Sequence, residues 1–379
     1  MGDAAWSAGW TAGWTGGILP AVPGRRLEAA CVTLGSELPP PVRLSVLLGR
    51  MERRCDPAMK AILYHRYGSP DVVEYTDVET PVPADDEVLI RVRAASVNPL
   101  DWHFMRGAPA LARLMAGLRR PKDPRLGADL AGTVEAIGSK VTLFQPGDEV
   151  FGAAKGAFAE YVCAREDKLA PKPANATFEQ SAAVPVAGLT ALKALRDKGR
   201  VQPGQSVLIN GAAGGVGTFA VQIARAFGAE VTAVCSTRNV ELVRSLGAAH
   251  AVDYTQEDFT ESGLRFDVVL DCIGNHSLTA IRRVMSPRGI YAVVGGPDGG
   301  WLAPLPFILK VLLLSPFVSQ RLNLVMASLT RADLTALKEL IEAGKVTPVL
   351  DRSHPLRETA EAIRYLETKH ARGKVVIAL

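Results

Sequence analysis

An apolar strand that runs directly into glycines and then into a helix is a place where a phosphate can lie against bare backbone. Residues 207–217, VLINGAAGGVG, have that form. The turn is made of Gly211, Gly214, Gly215, Val216 and Gly217. Glycine lacks the Cβ that would hold a pyrophosphate off, and the helix opening near Gly215 offers free N–H groups and the positive end of its dipole. A glycine-rich turn alone reads equally as an ordinary tight turn; strand before and helix after favour a dinucleotide site. One strand further on, a fold that prefers NAD places Asp or Glu to accept the ribose hydroxyls. Here the residues are Cys235-Ser236-Thr237-Arg238. A hydroxyl pair and a guanidinium suit a 2′-phosphate, so Ser236 and Arg238 assign the cofactor as NADPH. The competing reading leaves Arg238 as a solvated residue at a helix start.

These residues need a scaffold, and the periodicity supplies one. VLING, a helical stretch over 216–227 and EVTAVC make a parallel βαβ unit. Alternation continues with a helix over 240–246, strands over 251–254 and 267–274, a helix over 278–285 and the strand GIYAVVGG. Several such units in series specify a doubly wound parallel sheet. Ahead of them, from residue 59, short strand-like runs at 60–64, 87–95, 132–137 and 149–151 are separated by turn residues and suggest a small β-barrel. Residues 179–198 read as helices. Near the end, 331–342 and 357–368 are helical, and GKVVIAL is a strand that returns to the first domain.

A chain of 379 residues exceeds what one core usually covers, so two domains are expected. The net charge of +4 is small, and no Lys/Arg block stands out, which argues against nucleic acid as the main partner. The cysteines at 31, 55, 163, 235 and 272 are odd in number with no CxxC pair, so no disulfide framework is expected and a reducing cytoplasm fits. Residues 1–58 carry the near-repeat WSAGWTAGWTGG, scattered prolines and no sustained period. They read as a poorly ordered extension, with two further explanations open: a targeting leader, or translation that begins at Met59. Residues 301–318, WLAPLPFILKVLLLSPFV, are the most apolar stretch. Three prolines and Lys310 interrupt it, so a buried or subunit-facing segment is favoured over an integral membrane span, with peripheral membrane contact left open.

Five motifs in order, SVNPLDW at 96–102, GADLAGTVEAIG at 127–138, PGDEVFG at 146–152, AGLTAL at 187–192 and NGAAGGVG at 210–217, resemble quinone oxidoreductases of the medium-chain dehydrogenase superfamily, the zeta-crystallin-like branch. The resemblance spans almost all of 59–379 and excludes 1–58. It implies an α/β fold in which a Rossmann doubly wound parallel sheet is inserted into a GroES-like β-barrel domain. The expected limits are 59–182 for the first part of the substrate domain, 183–316 for the NADPH-binding domain and 317–379 for the return. Zinc-dependent relatives carry Cys and then His-Glu in the first domain. Asn98 stands where that Cys would be, Ala128-Asp129 replace His-Glu, and Val186 sits where a third ligand falls, so no metal is expected. By matching position, Asn98 and Thr190 would lie near the nicotinamide, Ser236 and Arg238 near the 2′-phosphate, and Tyr254 beside the adenosine phosphates. Gly274, Val294, Gly295 and Gly296 would line the cleft at strand ends, with Lys374 a further phosphate-side contact. Each has a plain alternative: Asn98 as a helix cap, Tyr254 as core, Lys374 as a solvated cation.

Without zinc, hydride is expected to go to an electron-poor acceptor such as a quinone or the β-carbon of an enone. Asn98 and His103 are the catalytic candidates, His103 as proton donor or enolate stabiliser. The expected partner is a small molecule, and the expected assembly a homodimer through a Rossmann-sheet edge by family analogy. Two alternatives stay open: a zinc-free enoyl-thioester reductase, and a non-catalytic NADPH-binding sensor or structural protein.

Overall fold

The computed structural model describes residues 58–108, 112–295, 309–311, 313–314, 318–326 and 328–379. The expectations for residues 1–57, for Gly296 and for most of 301–318 lie outside them. Of that apolar stretch, Val311 is buried while Leu309 and Leu313 are exposed. No helix among the described residues is long and apolar enough to cross a membrane.

Strands β1 (Ala58–Tyr64) and β2 (Val73–Glu79) form an antiparallel hairpin. β3 (Glu87–Val97) alternates in its middle, where Val88, Ile90 and Val92 point into the barrel core while Arg91 and Arg93 face solvent, and is buried on both faces from Ala94 onward. After it come α1 (Pro99–Arg106), α2 (Ala112–Ala116), β4 (Asp129–Ile137), β5 (Glu149–Ala153), β6 (Tyr161–Arg165) and β7 (Leu169–Pro171). The chain then leaves the barrel through α3 (Phe178–Ala182) and α4 (Pro185–Lys193).

The second sheet consists of β8 (Ser206–Asn210), β9 (Glu230–Cys235), β10 (His250–Asp253), β11 (Phe266–Asp271), β12 (Met285–Val293) and β13 (Arg321–Leu324). All its pairings are parallel, in the order β10-β9-β8-β11-β12-β13. Counted from β8 this is 3-2-1-4-5-6, the Rossmann order, and the order reverses between β8 and β11. Val207 and Ile209 face one core while Leu208 faces another, as a sheet covered on both sides requires. α5 (Gly215–Ala226), α6 (Val240–Ser245) and α7 (Leu278–Arg283) belong to its crossovers. The limit of 316 expected for this domain is corrected: β13 extends the same sheet to Leu324. Its sequence, RLNL, is short and of mixed polarity and carries no strand signal of its own.

The chain returns through α8 (Arg331–Glu342), whose buried Asp333 takes Lys193 Nζ at 2.9 Å and an Arg196 nitrogen at 2.6 Å. β14 (Leu350–Pro355), α9 (Thr359–Glu367) and β15 (Lys374–Ala378) follow. The barrel sheet runs β14-β15-β3-β4-β5-β7, with β6 also on β3. The final strand thus closes the first domain beside β3, as the return expected of GKVVIAL requires.

Candidate active site

The glycine turn stands at the sheet's switch point, where a doubly wound fold opens a crevice. Gly211 adopts φ +84°, open to glycine at little cost. α5 begins at Gly215, and its first intrahelical bond is Thr218 N–H to Gly214 O at 3.0 Å. The N–H groups of Gly215, Val216 and Gly217 are therefore those a helix start leaves without an internal partner. The glycines differ in what confines them. A Cβ on Gly217 would lie 2.1 Å from Gly211 O, so close packing of turn on helix forbids it. A Cβ on Gly214 would meet nothing nearer than 3.5 Å, so the protein itself leaves that space open. A phosphate can use it.

Across the switch point, Asp271 gathers the strand ends. One carboxylate oxygen accepts Asn210 Nδ2 at 2.9 Å, Ile273 N–H at 3.0 Å and Gly274 N–H at 2.8 Å, and the other accepts the Tyr291 hydroxyl at 2.7 Å. Val294 and Gly295 both donate to Asp271 O. A Cβ on Gly295 would lie 2.3 Å from Cys272 O. Gly274, Val294 and Gly295 thus collect where β11 and β12 end, beside the turn.

Ser236, Thr237, Arg238, Tyr254 and His370 line an open depression of about 250 Å³ past the end of β9. Arg238 Nη2 donates to His370 O at 2.9 Å, which aims the guanidinium along its rim. Tyr254 is 57% exposed and so is not core; its N–H is fixed on Cys235 O. Asp253 lies nearby at the end of β10, its carboxylate held below the usual range by Thr237 first and then by Thr255.

A third cluster is fully buried and arises from strand register. Ser96 pairs with Asp129 across β3 and β4, and Val97 pairs with Val375 across β3 and β15. The register brings Asn98, Asp129 and Lys374 together at one end of three adjacent strands. Lys374 Nζ donates to Asn98 Oδ1 at 2.6 Å and lies 3.5 Å from Asp129 Oδ2. Asn98 Nδ2 donates to Asp129 Oδ2 at 2.9 Å and to Ser96 O at 3.3 Å. Asp129 also accepts Ser96 Oγ at 2.9 Å and, from the start of α4, Val186 N–H at 3.0 Å. Burial pushes the Asp129 pKa up and that of Lys374 down. Against that, Asp129 accepts from the Asn98 amide and the Val186 N–H and lies 3.5 Å from the Lys374 nitrogen, which itself donates to Asn98 Oδ1 and Val97 O, and on this geometry we assign the pair as ionised. Asp101, at the start of α1, accepts Asn98 N–H at 2.7 Å, and burial pushes its carboxyl up to about 7. Thr190 sits one turn into α4, its hydroxyl on Val186 O at 2.7 Å.

The alcohol dehydrogenase GroES-like domain family matches residues 84–174, and the zinc-binding dehydrogenase family matches 246–377. A mouse mitochondrial NAD(P)H oxidoreductase is 36% identical, over 84% of this chain and 89% of its own. An Arabidopsis thaliana chloroplastic NADPH-dependent alkenal/one oxidoreductase is 35% identical, over 84% and 79%. The crystal structure of Escherichia coli quinone oxidoreductase complexed with NADPH superposes with a TM-score of 0.73 at 27% identity, over 84% of this chain and all of that one. The chain belongs to the quinone oxidoreductase branch of the medium-chain dehydrogenase/reductase family. It is an NAD(P)H-dependent oxidoreductase.

Within this family frame, three expectations change. Lys374 is neither solvated nor turned to the phosphates: it is 3% exposed, only its stem approaches the glycine turn, and its ammonium faces Asn98. Asn98 is 2% exposed with both amide protons engaged, so its side chain orients neighbours rather than donating to a substrate. His103 is corrected as a proton donor. Its Nδ1 lies 2.8 Å from Ala108 O and must carry the proton there, its ring stacks on Trp102 at 3.7 Å, and burial pushes its pKa below the ordinary value. The ring is thus neutral at pH 7, with Nε2 an acceptor. Sequence reasoning passed over Asp101, Asp129 as a hydrogen-bond centre, and His370. The first two stand inside motifs already singled out, SVNPLDW and GADLAG; His370 carried no local signal.

Proposed function

We propose that this protein is an NADPH-dependent, zinc-independent reductase that delivers hydride to a quinone or an activated alkene. The observation that carries the reading is the depression past β9, where Ser236 and Arg238 offer a hydroxyl and a guanidinium and β9 itself ends without a carboxylate, while Asp253 on the neighbouring β10 is engaged by Thr237 and Thr255. That donor set suits a 2′-phosphate. The names of the Arabidopsis and Escherichia coli relatives supply the acceptor classes and agree on NADPH.

The residues fit the cofactor. The open space at Gly214 and the α5 amides of 215–217 would take the pyrophosphate, and Asn98 and Thr190 flank the end where the nicotinamide belongs. The bound dinucleotide would supply the hydride. The donor set around Asn98 does not fit a metal: its amide is spent, Ala128 offers no ligand, and Asp129 is committed to Ser96, Asn98, Lys374 and Val186. Among the described residues no group of three or more His, Cys, Asp or Glu could hold one. The chain therefore works by alignment, and charge developing on the acceptor has to be spread by the acceptor's own conjugation. We also infer a homodimer through β13, whose outer edge pairs with no described strand.

The test is NADPH oxidation against a panel of quinones, enones, enoyl thioesters and saturated ketones, with zinc measured after chelation. Turnover of the first two classes only, without metal, is the expected result. Turnover confined to enoyl thioesters, or tight NADPH binding with no turnover, would replace this reading by the thioester-reductase or sensor alternative.

A further inference from the structure

We propose that Lys374 is the positioning residue of this site. Its ammonium holds the place of a missing metal by tying Asn98 and Asp129 together, while its stem sets the spacing between those residues and the phosphate-binding turn. The inference rests on the reading above for NADPH as the bound dinucleotide and for what is measured as turnover.

The geometry follows from one short segment, residues 370–374. At its start, His370 O accepts Arg238. Two residues before the strand begins, Arg372 N–H is fixed on Asp351 at 2.8 Å. Gly373 N–H donates to Ala213 O at 2.9 Å, and Gly373 forms a parallel bridge with Gly214, so the segment is laced to the glycine turn. The next residue is Lys374. Its Cδ lies 3.1 Å from where a Cβ on Gly215 would be, so its stem packs under the first residue of α5. Its Nζ then reaches Asn98 Oδ1, Val97 O and Asp129 Oδ2. Asp129 passes the constraint to α4 through Val186 N–H, and Thr190 is anchored one turn along. Thus one side chain touches the element that would hold the phosphates, bonds Asn98 directly, and reaches Thr190 through Asp129 and Val186.

A cation at this point does what coordination would otherwise do. It gathers acceptors from the end of β3, from Asn98 and from β4 into one fixed arrangement, while Asp129 in turn accepts the Val186 N–H at the start of α4, and it offers no open position to a substrate. The pair is dry, with side-chain exposures of 4% for Lys374 and 0% for Asp129, so removing one charge strands the other. Removing both does not.

That asymmetry supplies the experiment. Lys374→Met keeps the stem and removes the ammonium; the double variant K374M/D129N removes both charges at similar volume and keeps an acceptor for Val186 N–H. Each is compared with the full chain by melting temperature, NADPH Kd, time-resolved emission anisotropy of bound NADPH, and kcat. NADPH Kd is expected to stay within about threefold, because the phosphate contacts remain. Anisotropy is expected to fall as the nicotinamide loosens, and kcat to drop about tenfold or more, in both variants. The melting temperature should fall in the single variant and recover in the double. A double variant that recovers kcat and anisotropy along with stability would overturn the proposal, since Lys374 would then only neutralise Asp129. A Kd raised about tenfold or more with anisotropy unchanged would overturn it in favour of a phosphate contact. If the unmodified chain binds NADPH but reduces nothing on the panel, the acceptor reading fails, while the anisotropy comparison still decides the role of Lys374.

Discussion

Gly214 and Gly217 are three residues apart in one turn, yet alanine at each should fail in a different way. At Gly217 the added Cβ would lie 2.1 Å from Gly211 O, 2.6 Å from Ala212 Cα and 2.7 Å from Ala212 C. All three are backbone atoms, and relief requires the turn to lift off α5 by about an ångström, an overpacking cost of about 1–3 kcal/mol. For a chain of this size each kcal/mol lowers Tm by about 1–2 °C. At Gly214 the nearest atom is 3.5 Å away, and φ −82° with ψ 179° suits any residue. Gly214→Ala should therefore melt like the parent. Its methyl would nevertheless occupy the space left for a phosphate, and displacing one amide–phosphate hydrogen bond costs about 1.5–3 kcal/mol, or roughly ten- to a hundredfold in Kd. Differential scanning fluorimetry and NADPH titration calorimetry on both variants make the comparison. Parent-like NADPH affinity in Gly214→Ala would refute the reasoning, because the space would then have no cofactor in it.

The remaining expectations concern single side chains. Arg238→Leu should raise KM for NADPH about ten- to a hundredfold and leave NADH nearly unchanged, since only the 2′-phosphate contact is charge-assisted; equal effects on both cofactors would place Arg238 elsewhere. His103→Ala should keep kcat within about threefold on every accepted substrate, because a neutral ring bound to Ala108 O donates nothing further. A large loss of kcat at unchanged stability would restore the acid role. Burial pushes Asp101 up to about 7 from 3.8, so from about pH 4 to 7 the folded chain keeps a proton that the unfolded chain has released. Stability from this group therefore falls as pH rises through that window, by at most about 4 kcal/mol. Asp101→Asn mimics the protonated form and should flatten Tm against pH there, leaving whatever slope the neighbouring Asp129 contributes; an unchanged slope counts against it.

Much of this was readable from residue types because the informative segments obey local rules. Strand, glycine turn and helix over 207–227 are consecutive in the chain, and their chemistry is backbone chemistry, so periodicity and glycine spacing suffice. The same holds for residues 235–238, where the missing carboxylate is itself local. Lys374 could not be placed that way. Whether its ammonium faces a phosphate or Asn98 depends on the register of β15 against β3, fixed by contacts hundreds of residues apart in the chain. His103 shows the same limit at short range: its type suggested a proton donor, but one carbonyl five residues on, Ala108 O, decides which nitrogen carries the proton. The strand at Arg321–Leu324 was invisible for a third reason, since an edge strand of four residues has too few alternating positions to show a period.

The register that hides Lys374 from sequence reasoning also limits the reaction. Hydride arriving on an acceptor leaves an electron pair to be stabilised, and a metal or an unpaired cation at the nicotinamide end would do this for a plain carbonyl. In this chain the cation at that end is already matched by Asp129, 3.5 Å away, and Asn98 accepts its proton at 2.6 Å. Asp101 beside them adds only partial negative charge near neutral pH. The cluster as a whole is thus close to neutral and offers no net attraction to an oxyanion. On the proposed function the stabilisation comes from the substrate: quinones and enones delocalise the pair over a conjugated system, whereas a saturated ketone cannot. On that same reading, the absence of metal ligands, the buried ion pair and the preference for conjugated acceptors would all follow from Asn98, Ala128 and Asp129 standing where they do.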